Sequence, residues 1–186
     1  MPCHKRASIL AMIARHAAPL TIIEYATTPP GDNAYLRRLR LWVADCAARA
    51  LPLLAQHQQD HSEAIAAITA ARFYANGFIR LASLAGYDDE LYARLYQDAK
   101  HTGYSVASEV SLAAALSARA NIWLGAAAAA QHARSAILNA IWGEANFNPR
   151  DAARESHDES QWQVMRLGSW LADIEPVEWP ITSEAA

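Results

Sequence analysis

The sequence predicts an all-α fold, a compact single-domain bundle of six to seven helices. Three observations carry that prediction. Alanine supplies 42 of the 186 residues, and it combines the best helix propensity with a side chain small enough for helices to pack closely. Apolar residues recur at three- and four-residue intervals along nearly the whole chain, while strand-like alternation is almost absent. The breaks between periodic stretches are short and carry the residues that start and stop helices.

A first helix is expected over about 5–18, with Ile9, Met12, Ile13 and Ala17 on one face and Pro19 at its end. "TIIEYA" fits either a helix or an extended segment, and "TTPPGDN" (27–33) is a loop. Asp32 or Asn33 can cap a second helix that runs to about Gln56, with a kink or early stop near Leu51 because of Pro52. In "DHSE", Asp60 and Glu63 form a capping box that opens a third helix reaching about Leu84. Gly86 stops that helix and Asp88 caps the next, which carries Leu91, Leu95 and Tyr96 and fades near His101–Gly103. The alanine-rich span 104–145 is too long for one globular helix, so a split near Asn121 is expected. Asn148 as cap and Pro149 at the first helical position open a last helix to about Ala172, anchored by Trp162, Met165, Leu167, Trp170 and Leu171. By this reading residues 1–35 are an N-terminal helix and loop, 36–172 the helical core, and 173–186 a tail.

Composition narrows the class. Apolar residues make up 53% and charged residues 19%, the balance of a globular chain. The net charge of −3 is unevenly spread, with residues 144–186 carrying 3 basic and 9 acidic side chains. No dense basic face is visible, so no nucleic acid partner is expected. No stretch reaches the length of a membrane span, and the basic start "HKRASILAMIARHAA" is interrupted by Arg15 before it could form a secretory core. Cys3 and Cys46 make no disulfide framework, which points to a reduced, cytoplasmic setting.

Catalytic fingerprints are missing: no P-loop, no dinucleotide glycine motif, no GxSxG, no HExxH and no Glu-x-x-His pair. His57, Asp60 and His61 in "HQQDH" have metal-like spacing, but they fall in an interhelical break, so neither a metal nor a cofactor is expected. Asp98 and His101 read as an ion pair at a helix C-terminus, where the dipole favours a cation. Cys46 reads as a small buried hydrophobe.

The stretch "LWVADCAARALPLL" (41–54) sets Asp45 and Arg49 four residues apart in an apolar helix, with Arg72 a second candidate partner. Two readings stand: a polar clamp that fixes how helices meet, or a functional pocket built on Asp45, Arg49 and Arg72 in a small-ligand binder or enzyme. The six tryptophans are numerous for this length. Trp123, Trp142, Trp162, Trp170 and Trp179 are therefore candidate interface anchors as well as core residues.

Four segments occur together: "RLWVADCAARALPLL" (40–54), "EAIAAITAARFYANGFI" (63–79), "LGAAAAAQHARSAI" (124–137) and "ESQWQVMRL" (159–167). In this order the chain resembles the bacterial immunity proteins of polymorphic toxin systems over roughly residues 36–170. Trp42, Asp45 and Cys46 carry the most specific part, with Arg72 and Tyr74, then Trp162 and Gln163. The resemblance implies a small cytoplasmic helical protein that binds and neutralises a cognate protein toxin without catalysis. Glu155, Asp158, Glu159 and Trp162 are the expected partner-binding residues, since they combine the acidic final third with a family-like motif. A self-associating helical module, for instance a homodimer, is a further alternative.

Overall fold

The computed structural model describes residues 33–56, 62–87, 89–103, 105–119, 122–143 and 148–171. Six α-helices and one 3-10 segment occupy them, and no strand occurs among the described residues. The expected N-terminal helix, residues 27–32 of the expected loop, the His57–His61 segment, the caps at Asp60, Asp88 and Asn121, and the tail lie outside the described residues, while Asn33, the last residue of that loop, is helical.

Helix α1 (Asn33–Gln56) is the axis of the bundle. Every residue from Leu39 to Ala47 is buried, the signature of a helix surrounded on all sides. Helices α2 (Ser62–Ala75), α4 (Val106–Ala118), α5 (Ile122–Trp142) and α6 (Pro149–Leu171) all pack on it. The fully buried Trp42 ring fills the centre with Leu39, Val43 and Leu54. Such a side chain contributes roughly 2–3 kcal/mol through its removal from water. The expected stop near Leu51 does not occur. Pro52 is exposed and Ala48 only partly buried, so the carbonyl that loses its donor can be hydrated and the helix continues.

Helix α2 ends nine residues sooner than its apolar spacing predicts. Gly77 adopts φ 81, its N–H donates to the Tyr74 carbonyl at 3.0 Å, and the Phe78 N–H donates to Phe73 at 2.9 Å. This glycine-terminated hydrogen-bond pair outcompetes continued α-helix. A 3-10 segment (Leu81–Tyr87) follows and inserts Leu84 into the interior. Helix α3 (Asp89–Thr102) then stops at Gly103, which sits at φ 86.

The alanine-rich span divides as predicted, into α4 and α5. Ser105 caps α4 by accepting from the Ser108 N–H at 3.2 Å. Where α5 crosses α4 the backbones come close: a Cβ on Gly125 would lie 3.5 Å from the Leu116 carbonyl oxygen and 3.3 Å from its Cδ2. Helix α6 begins at Pro149, and the Arg150 N–H donates to the Asn148 side chain at 3.0 Å. The expected Asn–Pro start is therefore in place. No helix among the described residues is long and apolar enough to cross a membrane.

Candidate functional site

Asp45 lies on the face of α1 turned toward α2 and α6, and it is 8% exposed. Burial of a lone carboxylate there would be prohibitive, so the fold surrounds it with donors. Arg72 of α2 donates to Oδ1 at 2.8 Å, while Arg166 Nε and the Trp170 indole of α6 donate to Oδ2 at 2.7 and 2.9 Å. One carboxylate thus ties three helices together. The Arg166 guanidinium also lies 5.5 Å from the centre of the Trp170 ring.

Arg49, the expected helical partner of Asp45, turns elsewhere. Its Nε donates to Oε2 of Glu159 at 2.5 Å, and its guanidinium stacks 4.7 Å above the Trp162 ring. Asp45 and Arg49 share a helix face by spacing, but the carboxylates and indoles of α6 offer each a better-oriented partner. The structure therefore brings Asp45 and Arg72 together and assigns Arg49 to a second centre.

That second centre corrects one expectation. Glu159 was expected on the partner-binding surface, yet it is 2% exposed. Gln163 donates to its Oε1 at 3.0 Å and to the Ala130 carbonyl of α5 at 3.1 Å. The Trp42 indole closes the network by donating to the Gln163 carbonyl at 2.9 Å. Burial pushes the Glu159 carboxyl above the ordinary carboxylate range, and the hydrogen bonds from Arg49 and Gln163 pull it partway back. The acidic final third and the family-like motif placed Glu159 among Glu155, Asp158 and Trp162. Only the packing shows that it points inward.

Cys46 is wholly buried beside these two centres. Burial, then the Glu159 and Asp45 carboxylates, hold its thiol well above the usual range, so it stays protonated and unreactive. Arg40, also buried, donates to the Ser117 carbonyl of α4 at 3.0 Å and lies over Tyr74 at 4.9 Å. Burial lowers its pKa to about 10. Glu109 of α4 and His132 of α5 form a further clamp at 2.6 Å. His101, expected to pair with Asp98, instead bonds the Gln97 carbonyl at 2.7 Å, one turn back on its own helix.

The outer face of α6 is different. Glu155, Asp158 and Met165 are exposed, with Trp162 half-buried between them. Their spacing (three, four and three residues apart) puts all four along one side of the helix. Trp162 is held in position by the Arg49 guanidinium stacked on its ring. Of the other tryptophans, Trp142 is 61% exposed and Trp170 half-buried.

Sequence reasoning did not single out Arg166, and it named Trp170 and Gln163 without assigning them to the Asp45 and Glu159 centres. Trp162, Arg166 and Trp170 recur at four-residue intervals, a visible stripe, but nothing in the spacing names Asp45 as its target. Both oxygens of Asp45 are engaged, Oδ1 by Arg72 and Oδ2 by Arg166 and the Trp170 indole. A shallow pocket between α2, α3 and α4, lined by Glu63, Ala67, Leu91 and Ser111 among others, lies apart from it. No cluster of three or more metal-binding side chains occurs among the described residues. No family model, no curated protein and no solved structure matches this chain.

Proposed function

We propose that this chain is a cytoplasmic, immunity-type protein that binds a cognate bacterial toxin and neutralises it by occlusion, without catalysis of its own. The observation that carries the reading is the α6 stripe of Glu155, Asp158, Trp162 and Met165 on a helix braced from behind by two ionic centres. Tryptophan and methionine favour the core of a protein interface, and carboxylates at its rim steer a basic partner. A rigid helix presenting a pre-positioned indole loses little conformational freedom on binding. The ionic residues serve this surface as supports: Arg49, itself solvent-exposed, holds Trp162, and the buried Asp45 holds α6 against α1 and α2.

The test is co-expression with the product of an adjacent toxin-like gene. A stable complex and rescued growth are expected, and both should be lost when Glu155 and Asp158 are changed to lysine. Failure to form a complex or rescue growth with that product overturns the proposal.

A further inference from the structure

Two stretches of the sequence carry arginines and no acidic residue. Residues 33–44 contain Arg37, Arg38 and Arg40, and residues 64–87 contain Arg72 and Arg80. The fold joins them at one end of the bundle, where a Cβ on Gly77 would lie 3.9 Å from Nη1 of Arg37. The turn at Gly77 sets the Phe78 ring against Phe73, with centroids 5.9 Å apart and planes at 77°. Their mutual contact does not bury them: Phe73 is 48% exposed, Phe78 75%, and Leu81, three residues on, 47%. Arg37 and Arg80 are exposed beside them.

The structure assigns to this end of the molecule a docking site for an acidic protein segment that carries a large apolar side chain. The site is separate from the α6 stripe and does not depend on the toxin reading. Exposed aromatics on a hydrogen-bonded turn are already ordered, so contact with them costs little entropy. Arginine beside aromatic rings is the composition of interface hot spots. The absence of carboxylates from both stretches sets the sign of the partner. A single-stranded nucleic acid fits less well: edge-to-face rings make a knob rather than a flat stacking platform, and two exposed cations give little phosphate neutralisation.

Fluorescence anisotropy on the full chain tests this with a labelled peptide alternating Glu and Leu. Comparison peptides replace Glu by Lys or Leu by Gly, and a labelled oligouridylate provides the nucleic acid arm. Sedimentation of the protein alone reports self-association. The Glu/Leu peptide is expected to bind and both altered peptides to fail. Phe78→Ser, and separately Arg37→Glu with Arg80→Glu, should each weaken binding by about tenfold or more while the melting curve is retained. The Glu155→Lys, Asp158→Lys pair should leave it unchanged. The proposal is overturned by no binding of the Glu/Leu peptide, by equal binding to the folded variants, by preference for oligouridylate, or by self-association through the same residues.

Discussion

Where α5 meets its neighbours the contact is built from Ala126, Ala129, Ala130, Ala133 and Ala136, all buried. Where α6 meets α1 it is built from Asp45, Arg49, Glu159, Gln163, Arg166 and Trp170. The alanine contact gains van der Waals packing by bringing backbones close, but one alanine resembles the next, so it says little about which turn faces which. The ionic contact is directional. Oδ2 of Asp45 meets Arg166 and Trp170 together only in one register of α6. Close approach thus dominates the alanine seam, where the Glu109–His132 clamp adds one directional contact, and the denser directional network is the one that supports the α6 stripe.

Asp45→Ala is expected to have the largest effect. It takes a buried anionic partner from Arg166, 14% exposed, and from Arg72, and removes the acceptor of the Trp170 indole. The loss should be about 3 kcal/mol of unfolding free energy in urea. A loss below about 1 kcal/mol would mean that the ionic seam does not specify the packing.

Ala133→Leu probes the other seam. Ala133 is fully buried, and a larger side chain there must force α5 away from its neighbours. About 2 kcal/mol is expected, read from the same urea midpoints. If the variant is as stable as the parent, the alanine seam is looser than its geometry indicates.

Glu159→Gln should cost less than Asp45→Ala, because the amide oxygen can still accept from one of the two donors, Arg49 or Gln163, although the amide nitrogen then faces the other. Its diagnostic is pH. The folded carboxyl lies above its ordinary value of 4.5, chiefly through burial. The proton is therefore held more tightly in the fold, and this contribution is fully present below 4.5 and lost as pH rises through the folded value. The stability of the parent relative to the variant should accordingly decline as pH is raised across that window. Urea midpoints for the two proteins at a series of pH values will show this, and a difference that grows with pH would contradict the burial of Glu159.

The smallest effect is expected for Glu155→Lys with Asp158→Lys. Both sites are exposed, so stability should change by no more than about 0.5 kcal/mol. Loss of toxin binding with an unchanged melt would place these residues at the interface.

Periodicity, caps and composition were sufficient for the all-α class, for a helix starting after Asp32 or Asn33, for the division of the alanine-rich span and for the Asn148–Pro149 start. These are local properties, set by side-chain volume, backbone freedom and hydrogen bonds within a few residues. The early end of α2 was legible in principle, since Gly77 follows Asn76. It was hidden because Phe78 continues the apolar spacing on which the longer helix was predicted.

The polar partnerships were decided elsewhere. Asp45 and Arg49 sit at ideal helical spacing, yet one pairs with Arg72 and Arg166 and the other with Glu159, up to 121 residues away in sequence. Spacing along a helix tells which side chains share a face. Which of them finds a charge across the interface depends on how the helices cross, and a buried carboxylate takes the donors that the crossing supplies. The same reason made Glu159 internal while Glu155 and Asp158, in the same acidic run, remained outside. The sequence determined that acids and indoles would be present on α6, and only the tertiary structure decided which of them brace the bundle and which lie exposed on its surface.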